Sequence, residues 1–155
     1  MAISISLDYA PSSLGEGYMA ATLTGGCACG AIRYECSGDP ALALNCYCRD
    51  CQRSGGTAMA SLMAMPKAGV RLLKGEARYF DVIGESGKRV SRGFCSNCGS
   101  GLFTRGESFP DVVGIKVASL DDPNQFRPEM NIYTSSAPAW APMSDKLKSF
   151  AKMAG

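Results

Sequence analysis

Phe94-Cys95-Ser96-Asn97-Cys98-Gly99 places two thiols three residues apart and follows them with a glycine. Upstream, Gly26-Cys27-Ala28-Cys29-Gly30 does much the same within a shorter span. Zn²⁺ takes thiolates at about 2.3 Å in a tetrahedron, so two sulfurs on one ion sit roughly 4 Å apart. Tight turns present sulfurs at that separation, and glycine gives such turns their backbone freedom. Cys27, Cys29, Cys95 and Cys98 are therefore read as one closed structural zinc site. It ties the first strand of the domain to a hairpin far along the chain.

Between these pairs lies Cys46-Tyr47-Cys48-Arg49-Asp50-Cys51. Its three thiols are too close in sequence to serve two places. Three thiolates leave one coordination position for water or substrate, which is the pattern of catalytic zinc. Thiolate donors also favour Zn²⁺ over Mg²⁺, Ca²⁺ or Mn²⁺. The expectation is two Zn²⁺ per chain. Cys36 is the remaining thiol. On a strand over 31–36 it shares a face with Ile32 and Tyr34, with Arg33 and Glu35 opposite. It reads as a buried small hydrophobe, the alternative being a fourth ligand that closes the second site. Neither C-x-x-C has the βαβ context of a thioredoxin-like redox pair.

The chain has 155 residues, eight Cys and no His. Lack of His excludes catalytic triads, Cys–His dyads and imidazole-ligated metals. The length suits one domain, and a domain of this size buries about 70% of its unfolded surface without needing disulfides. With 19% charged and 46% hydrophobic residues the chain reads as globular. A formal charge of +2 gives no argument for a nucleic-acid partner. The first basic residue is Arg33, so the N-terminus lacks a secretory n-region. No apolar run approaches the roughly 18–20 residues of a membrane span. These features predict a cytoplasmic protein with reduced thiols and no membrane partner.

Short apolar stretches punctuated by Gly, Pro, Asn and Asp predict a mainly β domain. Strands are expected over 31–36, 57–65, 70–73, 77–82, 89–94, 101–104, 112–117 and 130–134. Gly84-Glu85-Ser86-Gly87 reads as a hairpin turn. Residues 1–24 read as an N-terminal extension and 25–155 as the zinc-binding domain. At the C-terminus, Leu147, Phe150, Ala151 and Ala154 fall at helical spacing, which predicts a short helix over 145–154 capped by Ser144. Asp121-Asp122 before Pro123 reads as a turn. Met59, Met63 and Met65 share strand parity and read as core or as the wall of an apolar pocket. Trp140 reads as a packing anchor.

Five motifs in order resemble the glutathione-dependent formaldehyde-activating enzyme family, also called centromere protein V-like. They are Gly25-Gly26-Cys27-Ala28-Cys29-Gly30-Ala31-Ile32-Arg33-Tyr34, the block from Cys46 to Arg53, Arg92-Gly93-Phe94-Cys95-Ser96-Asn97-Cys98-Gly99-Ser100-Gly101-Leu102, Ser119-Leu120-Asp121-Asp122-Pro123 and Pro138-Ala139-Trp140. The resemblance implies a β-tent of small antiparallel sheets clamped by zinc, with the same division of the thiols into four and three. It also implies a carbon–sulfur lyase that condenses formaldehyde with glutathione to S-hydroxymethylglutathione. The chain departs from the family pattern at Tyr47 and Asn131, where the family usually carries His.

The chemistry expected is thiol activation. A free thiol, with pKa about 8.5, is mostly protonated at pH 7, whereas a zinc-coordinated thiol is deprotonated. Its thiolate could add to formaldehyde or another small aldehyde. No G-x-G-x-x-G fingerprint calls for a nicotinamide. Arg49 and Arg53 flank the three thiols and could hold a substrate carboxylate. Tyr47 could donate to a developing alkoxide, and Asn131 joins the substrate-binding set. Two other readings compete. One is a non-catalytic zinc-binding interaction module of the same fold. The other, a zinc-bearing methionine sulfoxide reductase, needs a free Cys95, and the Cys98-Gly99 turn argues against it.

Overall fold

The computed structural model describes residues 22–154. In chain order the strands are β1 (Leu23–Gly26), β2 (Arg33–Cys36), β3 (Leu42–Cys46), β4 (Ala60–Pro66), β5 (Val70–Lys74), β6 (Arg78–Ile83), β7 (Arg89–Phe94), β8 (Gly101–Gly106), β9 (Phe109–Lys116), β10 (Met130–Ile132) and β11 (Lys148–Ser149). A single α-helix among the described residues, α1 (Arg49–Gly55), follows β3. Strands β1, β2 and β5 form an antiparallel three-stranded sheet. The other eight form one sheet in the order β11-β10-β3-β4-β9-β8-β7-β6. This second sheet is antiparallel from β3 to β6, while β10 runs parallel to both β3 and β11.

Alternation along the strands builds the main core. Met63 lies opposite Ile115, Ile115 opposite Phe103, and Phe103 opposite Gly93, so one row crosses four strands. All four are buried, as are Met65 and Val113 in the next row. The three-stranded sheet packs Leu23, Tyr34 and Cys36 into the same cluster, with the Tyr34 and Phe103 rings edge-to-face at 5.2 Å. Each fully buried side chain of this size contributes about 1.5–3 kcal/mol. At Gly93 a Cβ would lie 2.8 Å from the Tyr79 ring and 3.1 Å from Phe103 Cβ, so the row closes only on glycine.

The opposite face of the large sheet carries Arg92, Thr104, Lys116 and Cys46. Arg92 lies opposite Thr104, Thr104 opposite Gly114, Lys116 opposite Leu62, and Leu62 opposite Leu44. Cys46, opposite Ala60, has the same parity as Leu44. A second cluster of Leu44, Cys46, Cys51, Ala60 and Ile132 brings α1 against this face, with Phe150 and Ala154 packed beside it.

The mainly β architecture agrees with the sequence, including a turn in which the Gly84 amide donates to the Lys88 carbonyl. The helix expected over 145–154 does not form. That stretch contains β11, and the Phe150 amide donates to Asn131 while Tyr133 and Thr134 donate to Lys152 and Phe150. An isolated helix of that length is marginal in water. The open edge of β10 offers backbone partners, and Phe150 gains burial beside the second cluster. Trp140 is no packing anchor: it is 75% exposed. Expectations for residues 1–21 fall outside the described residues, while β1 begins at Leu23, within the stretch read as an extension. No helix among the described residues is long and apolar enough to cross a membrane.

Candidate metal centres

The first thiol group joins the two sheets. Cys27 begins a tight turn in which the Gly30 amide donates to the Cys27 carbonyl at 3.1 Å. Cys95 begins another, with Gly99 donating to the Cys95 carbonyl at 2.8 Å. These turns place the sulfurs of Cys27, Cys29, Cys95 and Cys98 within 4.8 Å of one another. Cys27 and Cys29 are 3.6 Å apart, and Cys29 and Cys95 are 3.8 Å apart. Amides supply a surrounding layer: Ile32 N donates to Cys27 Sγ at 3.2 Å, and Asn97 Nδ2 to Cys29 Sγ at 3.2 Å. Hydrogen bonds from the Ser100 hydroxyl and backbone hold the Cys98 thiol down to about 5. Four soft donors close together, two of them hydrogen-bonded by amides, fit a closed tetrahedral metal.

Cys46 ends β3, Cys48 caps α1 and Cys51 sits in its first turn. Their sulfurs also lie within 4.8 Å of one another. Cys46 and Cys51 are buried and Cys48 is half-buried. Hydrogen bonds from Cys46 and Cys48, aided by the positive charges of Lys116 and Arg92, hold the Cys51 thiol down to about 2 against its burial. Those same sulfur contacts, with burial, push the Cys46 thiol far up. The trio suits a thiophilic divalent ion, and no fourth Cys, His, Asp or Glu among the described residues joins it. Cys36 belongs to neither group. It is fully buried in the main core, and burial pushes its thiol up to about 11.

Two cations attend the trio. Arg92 Nη2 points at Cys51 Sγ from 3.9 Å. Burial pushes the Lys116 ammonium down, with the Cys51 charge opposing. Arg92 and Lys116 also line a cavity of about 200 Å³ with Ser54, Phe80, Phe94 and Phe103. Sequence reasoning missed both. Arg92 had a signal in its place on the strand that leads to Cys95. Lys116 had none, because only the pairing of β9 with β4 brings it near Cys46.

The residues expected to bind substrate are dispersed. Tyr47 is buried, and its hydroxyl donates to the Pro142 carbonyl at 2.8 Å. It lines a separate cavity of about 550 Å³ with Asn45, Met59 and Met143. Asn131 precedes Ile132, the register partner of Cys46, so it faces away from the trio. Its side chain accepts from Asn45 and donates to Ser149 Oγ, both at 3.2 Å. Arg49 donates to Gln52 within α1, and Arg53 is exposed. Met63 and Met65 are core, while Met59 forms part of the cavity wall.

Comparison with known proteins follows the same lines. The chain is similar to a Rhodobacter sphaeroides protein of known crystal structure, a structural-genomics target, at 25% identity and a TM-score of 0.52. The similarity covers 66% of this chain and 93% of that one. No curated protein matches the chain. The model of the glutathione-dependent formaldehyde-activating enzyme family matches residues 22–136, a span that holds both thiol groups, Arg92 and Lys116. By that match over most of its length, the chain belongs to the glutathione-dependent formaldehyde-activating enzyme family.

Proposed function

We propose that this protein is a zinc-dependent enzyme of the carbon–sulfur lyase type. It activates a thiol, glutathione or a similar compound, for reversible addition to formaldehyde or another small aldehyde. The observation that carries this reading is the asymmetry of the two centres, four thiols in one and three in the other. Cys27, Cys29, Cys95 and Cys98 are assigned a structural zinc. Cys46, Cys48 and Cys51 are assigned a catalytic one, which when bound would supply a site at which a coordinated thiol loses its proton at neutral pH.

The surrounding residues suit that chemistry. Arg92 beside Cys51 favours negative charge on sulfur. Phe80, Phe94 and Phe103 give the adjoining cavity apolar walls. In the addition a carbon–sulfur bond forms, the carbonyl π bond breaks, and the thiol proton ends on the new hydroxyl. No electrons are exchanged, so no redox cofactor is required.

Metal analysis and adduct kinetics test the reading together. Purified protein is expected to carry two zinc ions per chain, and Cys48→Ser to keep the fold and lose one. With formaldehyde and glutathione, exchange between free and adduct forms, followed by NMR, is expected to be faster with the wild-type protein and uncatalysed with Cys48→Ser. Equal rates with and without wild-type protein would leave the fold as a non-catalytic zinc module.

A further inference from the structure

Four buried side-chain polar atoms have no hydrogen-bond partner among the described residues: Arg92 Nε, Arg92 Nη1, Thr104 Oγ1 and Lys116 Nζ. They come from three neighbouring strands. Arg92 on β7 faces Thr104 on β8, Thr104 faces Gly114 on β9, and Lys116 follows two residues later on the same side. Buried polar groups are nearly always satisfied, and orphaned ones call for a ligand or another specific role. Isolated orphans would have unrelated explanations. Here all four converge on one sheet face beside one candidate metal centre.

We propose that Arg92, Thr104 and Lys116 form an anion subsite of the three-thiol centre, which selects a small thiol carrying a carboxylate close to its sulfur. This rests on the thiol-activation reading and narrows it. The first support is charge. Three thiolates and a divalent ion sum to −1, whereas Arg92 and Lys116 bring +2, so the metal-loaded centre holds a surplus of positive charge in a largely dry place. The second is donor chemistry. All the orphaned nitrogen atoms are donors, and the threonine hydroxyl can donate as well, which suits a carboxylate.

The third support is distance. Arg92 Nη2 already lies 3.9 Å from Cys51 Sγ. A carboxylate oxygen held about 2.9 Å from the free edge of the guanidinium therefore lies across the width of that one group from the thiols. A molecule that reaches the centre through sulfur and Arg92 through its carboxylate is therefore a short one. The cavity of about 200 Å³ agrees, being smaller than the roughly 300–1,000 Å³ of sites for larger ligands. Glutathione carries its carboxylates at the two ends of a tripeptide, away from its sulfur, and is expected to gain less from this subsite than a small carboxylated thiol.

The test uses cobalt-substituted protein, whose sulfur-to-metal absorption reports entry of a new thiol. Mercaptoacetate is titrated against 2-mercaptoethanol, a neutral thiol of similar size. Wild type is expected to bind mercaptoacetate about tenfold more tightly or better, as charge-assisted hydrogen bonds allow. Lys116→Met is expected to abolish that preference, read as the ratio of the two affinities in the same protein. Thr104→Val, which keeps shape, is expected to reduce it about threefold and serves if the lysine variant does not fold. Equal affinity of wild type for both thiols, or a preference that persists in both variants, overturns the subsite while leaving thiol activation standing. If neither thiol alters the spectrum, both readings fail.

Discussion

At Cys48 one sulfur accepts the Cys51 amide at 3.3 Å, capping α1, and also belongs to the three-thiol group. The two roles can be separated. Serine keeps a cap acceptor and alanine does not, and loss of a cap costs about 1 kcal/mol. Cys48→Ala is therefore expected to melt about 2–6 °C below Cys48→Ser, although both lose the same metal. Thermal melts of the two metal-matched variants check this. Asp121 shows a second kind of residue effect. Hydrogen bonds from Arg33 and Thr24 hold its carboxyl down to about 2. A carboxyl lowered below its unfolded value of about 3.9 stabilises the fold above that pH, and the benefit is lost as pH falls towards 2. Both side chains are well exposed, so the effect is small. Asp121→Asn is expected to melt about 1–2 °C below wild type at pH 7. That gap should shrink between pH 4 and 2, and comparing the two proteins at each pH cancels any shared loss of metal.

At the scale of elements, the β1–β2 hairpin meets the turn over residues 117–120 across a very tight approach. A Cβ on Gly25 would lie 2.4 Å from the Ser119 carbonyl oxygen and 2.4 Å from the Tyr34 hydroxyl. Gly25→Ala must displace backbone, and it is expected to cost about 1–3 kcal/mol, measurable by denaturant unfolding. Strands with clear alternation, such as β2 and β7, are legible in the sequence because one face enters the core and the other does not. β3 is not legible: Ala43, Leu44, Asn45 and Cys46 are all buried, so the strand has no polar face to alternate with. α1 is too short for an apolar stripe, and its start is marked by a cysteine rather than the usual Ser, Thr, Asp or Asn. The helical spacing of Leu147, Phe150 and Ala154 is real, but strand pairing with β10 overrides it. The seven grouped thiols were fully legible, since their spacing is local. Lys116 was not, because strand register alone brings it to the trio, while Arg92 was marked only by its place on the strand that leads to Cys95.

Over the whole molecule the two centres carry different mechanical duties. The four-thiol group joins the turn between β1 and β2 to the turn between β7 and β8, so it connects the two sheets. Metal binding at such a site is folding free energy. Cys98→Ser is expected to lower the melting temperature by about 10 °C or more, whereas Cys48→Ser leaves the cooperative transition in place; differential scanning calorimetry of both distinguishes them. Loading with the two proposed zinc ions would also change the net charge, since seven thiolates and two Zn²⁺ would take the formal +2 to about −1. The parallel placement of β10 between β3 and β11 has a further consequence, for biosynthesis. Cys51 leaves the ribosome long before Lys116, β10 or β11. At roughly 5–20 residues per second, the three thiols wait about 5–20 s for the segments that flank and cover them. The nascent chain thus presents an uncovered thiol cluster to cellular metal and oxidants throughout that interval, and early metallation would protect it before its own fold can.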